Sequence, residues 1–215
     1  MISPVRFLVV LDADSTLIEN EVIELLADAA GSLAQVAEVT DRAMRGELDF
    51  AESLRERVAT LAGLSTDVFA EVGALIRPTT GVYDLIEGLH AAGSRIGVVS
   101  GGFHELLDPL AASLGLDHWR ANRLEVADGR LTGGLVGPII DATAKATALT
   151  EWAALDGVDL CSTVAVGDGA NDLTMMRVAG LGVAFNAKPI VRRTADLVIG
   201  TTDLSQVLPI LGLRG

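Results

Sequence analysis

Residues 5–11 form a run that is apolar except for Arg6, with little alternation between apolar and polar positions. Such a run reads as a strand buried on both faces, as in a parallel sheet. Shorter runs of the same kind recur at 95–100, 163–167, 182–185 and 197–199. Between most of them, apolar residues fall at helical spacing over 82–92, 105–114, 145–155, 173–179 and 189–194. This alternation predicts an α/β fold with a Rossmann-like, open parallel sheet and right-handed crossovers. In such sheets a ligand lies beyond the carboxyl ends of the strands.

The stretch 19–76 breaks the alternation. It carries no strand signal and is helical in period; Leu54, Val58 and Leu61 fall three or four apart. Ser65 is the expected N-cap of a helix running to Leu75. Two domains are therefore expected: an α/β core over 1–15 and 79–215, and a helical cap over 16–78, inserted between the first and second core strands. A second irregularity, 121–136, alternates around Asp128-Gly129, a favoured hairpin turn.

Composition narrows the partners. The chain has 215 residues and a formal net charge of -13. Nucleic acid and anionic membranes are bound by clustered Lys and Arg, and the densest such pair here is Arg192-Arg193. A small anionic ligand would thus need local positive charge, from a cation, a lysine or backbone amides. The single cysteine, Cys161, allows no disulfide within the chain and is expected as a buried, inert thiol. No apolar stretch approaches a membrane span or a secretory core, so a soluble cytoplasmic protein is expected. The sequence does not indicate an oligomeric state.

Four segments stand where predicted strands or loops end. Asp12-Ala13-Asp14-Ser15-Thr16 follows the first strand; Ser100-Gly101-Gly102 follows the second; Lys145 opens a helix; Gly167-Asp168-Gly169-Ala170-Asn171-Asp172 follows another strand. Singly, each has an ordinary reading as a turn, a loop or a solvated charge. Together, at the carboxyl ends of adjacent strands, they would bring several carboxylates, one ammonium and two sets of amides into one cleft. Converging carboxylates call for a hard divalent cation such as Mg2+. Amides, a hydroxyl and a lysine call for a small oxyanion. That set specifies phosphoryl transfer. No zinc motif and no ATP-binding P-loop pattern is present, and His104 is expected to pack rather than react.

These four segments resemble the motifs of the haloacid dehalogenase superfamily. The finer wording resembles its phosphoserine phosphatase family, through residues 14–21, 44–50, 53–58, 100–103 and 167–175. The likeness runs from about Val5 to Ile199. It implies a phosphomonoesterase acting on O-phospho-L-serine, the last step of serine biosynthesis, through an aspartyl phosphate. It implies Asp12 as nucleophile and Asp14 as general acid and base. Mg2+ would be held by the carboxylates of Asp12 and Asp168 and the backbone carbonyl of Asp14, with Asp172 behind them. Ser100, Gly101, Lys145 and Asn171 would bind the phosphate. Glu21 would read the ammonium and Arg57 the carboxylate of the serine end, while Met44 and Phe50 would wall off water. Thr16 is as much a loop former as a catalytic residue. The family often carries an N-terminal regulatory domain, which is not expected in a chain starting at the first core strand. A phosphotransferase or a phosphatase of another small metabolite would use the same residues; a non-catalytic phospho-ligand binder would be expected to lack Asp12 or Asp14.

Overall fold

The computed structural model describes residues 5–213. Seven strands form one sheet: β1 (Leu8–Leu11), β2 (Arg95–Phe103), β3 (His118–Ala127), β4 (Arg130–Val136), β5 (Thr163–Gly167), β6 (Leu181–Phe185) and β7 (Leu197–Ile199), in the order β4-β3-β2-β1-β5-β6-β7. All pairings are parallel except β3 with β4 at the edge. The central strand β1 is buried along its whole length. Successive residues face opposite layers: Val9 and Leu11 join one core, Leu8 and Val10 the other. The first core takes Leu85 and Leu89 of α5 (Val82–Ala91) and Leu106 and Ala111 of α6 (His104–Leu114). The second takes Leu149 and Trp152 of α7 (Ala142–Asp156), Met175 of α8 (Leu173–Val178) and Val191 of α9 (Pro189–Thr194). A last short helix, α10 (Val207–Ile210), returns to the first core through Val207 and Leu208.

Between β1 and α5 lie four further helices: α1 (Val22–Ala30), α2 (Leu33–Met44), α3 (Phe50–Ala59) and α4 (Val68–Gly73). Leu54, Val58 and Leu61 are buried together with Leu26, Val36 and Val72, as their spacing predicts. The chain's exit from and return to the sheet are clipped by an antiparallel bridge between Ile18 and Pro78 and by Thr79 N–H donating to Leu17 O at 2.9 Å. The hairpin turns at Asp128-Gly129, both with positive φ (+49° and +72°), which is the two-residue turn that suits a twisted ribbon.

Several expectations are corrected. The first strand begins at Leu8; residues 5–7 lie outside it, although Arg95 N–H donates to Phe7 O at 2.8 Å. β2 runs through Phe103, so Ser100-Gly101-Gly102 is extended strand and not a helix N-terminus; glycine carries no apolar signal by which the strand end could be read. Ser65 does not cap a helix. It bridges to Arg130, and its hydroxyl donates to Asp67 Oδ2 at 2.9 Å. The helix bearing Lys145 starts three residues earlier, capped by Asp141, whose carboxylate accepts from Ala144 N–H at 2.8 Å. Cys161 is exposed, because residues 160–162 form a surface turn before β5 rather than part of it. Among the described residues no helix is long and apolar enough to cross a membrane.

Candidate active site

The neighbouring strands β1 and β5 end side by side, and their loops carry the acids. Asp12 follows β1 directly, and its N–H donates to Val166 O at 3.0 Å, so the ladder itself fixes its backbone. A tight turn over Ala13–Leu17 follows, closed by Leu17 N–H to Asp12 O (3.3 Å) and Ile18 N–H to Ala13 O (3.0 Å). This turn folds Asp14 back beside Asp12. After β5, Gly169 N–H donates to Asp172 Oδ2 at 3.0 Å. A Cβ on Gly167 would lie 2.3 Å from that same oxygen, so only glycine leaves room for the carboxylate.

Lys145 joins the two loops. Its ammonium stands 2.6 Å from Asp12 Oδ1 and 2.7 Å from Asp172 Oδ1, with no exposed surface. Burial alone would lower its pKa, but the two carboxylates outweigh that and raise it, so it stays charged. The carboxylates of Asp12, Asp168 and Asp172 converge with ligand atoms within 4.8 Å of one another. Burial, then the charge of Asp172, push Asp12 up to about 7 despite Lys145. Burial raises Asp168 as well. Asp14 is raised well above an ordinary carboxyl by burial, then by the charges of Glu21 and Asp12. Its Oδ1 is buried without a hydrogen-bond partner, as is the hydroxyl of Thr16. Three converging carboxylates share the single Lys145 ammonium, and their oxygen-only donor set suits a hard divalent cation such as Mg2+.

On the β2 side, Ser100 is buried and its Oγ accepts from Gly102 N–H at 2.8 Å. That bond uses the Gly102 amide, but the Ser100 hydroxyl proton remains available. Gly101 is held by Asn122 Nδ2, which donates to its carbonyl at 2.8 Å. Asp12, Asp14, Gly101, Gly102, Asp168 and Asn171 line one pocket with Glu21, Phe50 and Arg57 from the inserted helices. Phe50 packs over Gly101, where a Cβ would lie 3.1 Å from the ring. Arg57 is partly buried, and its Nε donates to Ser53 O at 3.3 Å. Met44 is not part of this wall: it ends α2 and is 79% exposed.

Two residues in contact with the pocket's acids escaped the sequence reading. Lys188 lines the pocket with its ammonium 3.5 Å from Asp168 Oδ2. It follows β6, the next parallel strand after β5, so the strand-end rule that found the others could have found it. Ser15 donates its hydroxyl to Glu21 Oε1 at 2.7 Å. His104 packs as expected: Ala121 N–H donates to its Nε2 at 3.1 Å, and Nδ1 meets Asp108 at 2.7 Å.

Comparison with known proteins agrees with this geometry. The haloacid dehalogenase-like hydrolase family matches residues 9–177. A phosphoserine phosphatase of Streptococcus thermophilus is 51% identical over 209 residues, covering 97% of both chains. One from Streptomyces coelicolor is 55% identical over 206 residues; the match takes 96% of this chain but 50% of that longer protein. Among solved structures, a phospho-aspartyl intermediate analogue of phosphoserine phosphatase superposes with a TM-score of 0.90 at 42% identity, covering 96% of this chain and 99% of the other. A substrate-bound phosphoserine phosphatase complex superposes equally well, with a TM-score of 0.90 at 41% identity.

Proposed function

This chain belongs to the phosphoserine phosphatase family of haloacid dehalogenase-like hydrolases, and on that premise we propose that it hydrolyses O-phospho-L-serine through an aspartyl phosphate on Asp12. The observation that carries this reading is one pocket with a Lys145-clamped carboxylate cluster at its floor and the opposite charges of Glu21 and Arg57 on its wall. Bound Mg2+ would supply charge neutralisation for the attacking carboxylate and the phosphoryl oxygens. Asp12, Asp168 and the backbone carbonyl of Asp14 would hold it, with Asp172 steadying the set from behind.

Asp12 attacks phosphorus with its carboxylate. Asp14, whose protonated form is favoured by burial and by the charge of Glu21, hands its proton to the departing seryl oxygen. The same carboxylate then takes a proton from the water that cleaves the acyl phosphate, and the cycle closes. Lys145, the Ser100 hydroxyl, the Gly101 amide and Asn171 bind phosphoryl oxygens and stabilise charge as it shifts. Glu21 binds the substrate ammonium, and Arg57 its carboxylate with a planar fork suited to bidentate pairing. Phe50 covers Gly101 and limits water. In this reading residues 16–78 act as a cap over a core made of 1–15 and 79–215. The reaction would be the last step of serine biosynthesis, in the cytoplasm.

The test is phosphate release from a panel of small phosphomonoesters, with Mg2+ and with excess chelator. Phosphoserine should lead the panel and chelator should abolish turnover. Arg57→Ala should remove about 2–4 kcal/mol of charge-assisted contact, roughly a thirtyfold to thousandfold loss in kcat/KM with phosphoserine. Ethyl phosphate, which lacks the amino-acid end, should lose far less. Equal slowing of both esters would remove the case for serine recognition by Arg57.

A further inference from the structure

Ser15 has no role in the chemistry above, yet its side chain links the turn after Asp14 to Glu21 at the start of α1. Its backbone is left-handed, with φ +57°, a conformation that favours glycine. The loop is clipped around it: Ser15 N–H donates to Asn20 O at 3.3 Å, and Asn20 Oδ1 accepts from Arg77 N–H at 2.8 Å. This geometry aims the hydroxyl at Glu21, and Oγ donates to Oε1 at 2.7 Å. Glu21 itself stands at the N-cap of α1 but makes no side-chain capping bond. Its carboxylate serves the pocket rather than the helix end.

A free glutamate rotates about three side-chain bonds and must be ordered when a ligand binds. A hydroxyl bonded to one carboxylate oxygen restrains where the group sits and leaves the other oxygen for the ligand. We propose that Ser15 is a positioning residue for substrate selection, whose hydroxyl holds the Glu21 carboxylate ready for the ammonium of an amino-acid phosphate ester. The proposal rests on the reading of Glu21 given under Proposed function. It explains why a residue with a side chain occupies a position where glycine would be comfortable: glycine lacks the hydroxyl. Preorganisation of this kind strengthens binding by removing an ordering cost, without adding a contact to the ligand.

The experiment measures kcat/KM for phosphoserine and for ethyl phosphate in the wild type, Ser15→Gly, Ser15→Ala, Glu21→Gln and the Ser15→Gly/Glu21→Gln double variant. The quantity read is the ratio of the two values, phosphoserine over ethyl phosphate, in each preparation, so loss of folded protein cancels. Both Ser15 variants should lower that ratio roughly three- to tenfold, the range for one lost orienting hydrogen bond. Ser15→Gly should add little once Glu21 is Gln, because the side chain it orients then carries no charge for the ammonium. A ratio that falls in Glu21→Gln but not in Ser15→Gly overturns the tether and leaves the Glu21 reading standing. A ratio that falls in Ser15→Ala alone assigns the effect to the backbone and also overturns it. If Glu21→Gln leaves the ratio untouched, the reading of Glu21 fails and the tether fails with it.

Discussion

Replacing Lys145 with Met keeps most of the side-chain volume but removes the ammonium that Asp12 and Asp172 share at 2.6 and 2.7 Å. Taking one partner out of a buried ionic cluster leaves charge with no compensation, which costs about 3–5 kcal/mol. The structure adds a signature beyond that loss. Asp12 sits at about 7 with Lys145 present, and Lys145 is among the groups that lower it. In the variant Asp12 must therefore titrate higher still. The unfolded aspartate ionises near 3.8, so a carboxyl raised in the fold adds stability at low pH and loses it as pH climbs through the folded pKa. In wild type that contribution is gone above about 7; in the variant it persists to the higher pKa. Each further unit of elevation lets the variant recover at most about 1.4 kcal/mol of its deficit as the pH falls to 5. Urea unfolding in metal-free buffer, followed by tryptophan fluorescence, measures this at both pH values. A deficit below about 1 kcal/mol at pH 8, or one that does not shrink at pH 5, would refute the clamp.

Saturating Mg2+ should raise Tm more at pH 8 than at pH 5, because protons on Asp12 and Asp168, both raised by burial, compete with the cation at low pH; scanning calorimetry at the two pH values checks it, and a flat response counts against the cluster as the metal site. Asp12→Asn should abolish covalent labelling by 32P-phosphoserine. Asp14→Asn should stop turnover of alkyl esters yet still form the intermediate when the leaving group needs no proton, and equal loss of labelling in both would erase the division of roles. Ca2+ should bind the carboxylates yet fail to support turnover, since it favours more ligands and looser geometry than Mg2+; full activity with Ca2+ would argue against an octahedral site. Calorimetric titration with a non-hydrolysable phosphoserine analogue should show binding only when Mg2+ is present.

The parallel strands were legible because burial on both faces leaves unbroken apolar runs, and β5 and β7 match their runs to the residue. Edges that depend on glycine or on long-range pairing were not: nothing local says that β2 continues through Gly101 and Gly102. Ser65 shows the same limit, since its bridge to Arg130 competes with capping from 65 positions away. The acids of the site were legible as strand-end residues before any contact was known. What lay outside the sequence was which partner each would take. Lys145 reads as an ordinary helix charge until the fold brings Asp12 beside it. Met44 and Phe50 are both apolar residues at helix ends within the inserted segment, and only packing sends Phe50 to Gly101 and Met44 to solvent. Cys161 was misjudged because an apolar neighbourhood in sequence, Leu160 included, turned out to be a surface turn.

The charges around the pocket also constrain the order of events. The carboxyl groups of Asp12, Asp14, Glu21, Asp168 and Asp172 face three cations, Arg57, Lys145 and Lys188. Lys145 is already committed to Asp12 and Asp172, and Lys188 lies nearest Asp168. A phosphate ester brings further negative charge to this surplus, inside a chain of formal net charge -13. At short range and reduced dielectric, like charges repel by several kcal/mol, more than a few hydrogen bonds return. Raised carboxyl pKa values point the same way: burial and the charge of Asp172 favour the protonated forms of Asp12 and Asp168. A bound divalent cation would supply the two positive charges by which the five carboxylates outnumber the three cations. A phosphate ester should therefore bind more tightly with the cation than without it, which calorimetric titration in the presence and absence of Mg2+ reads.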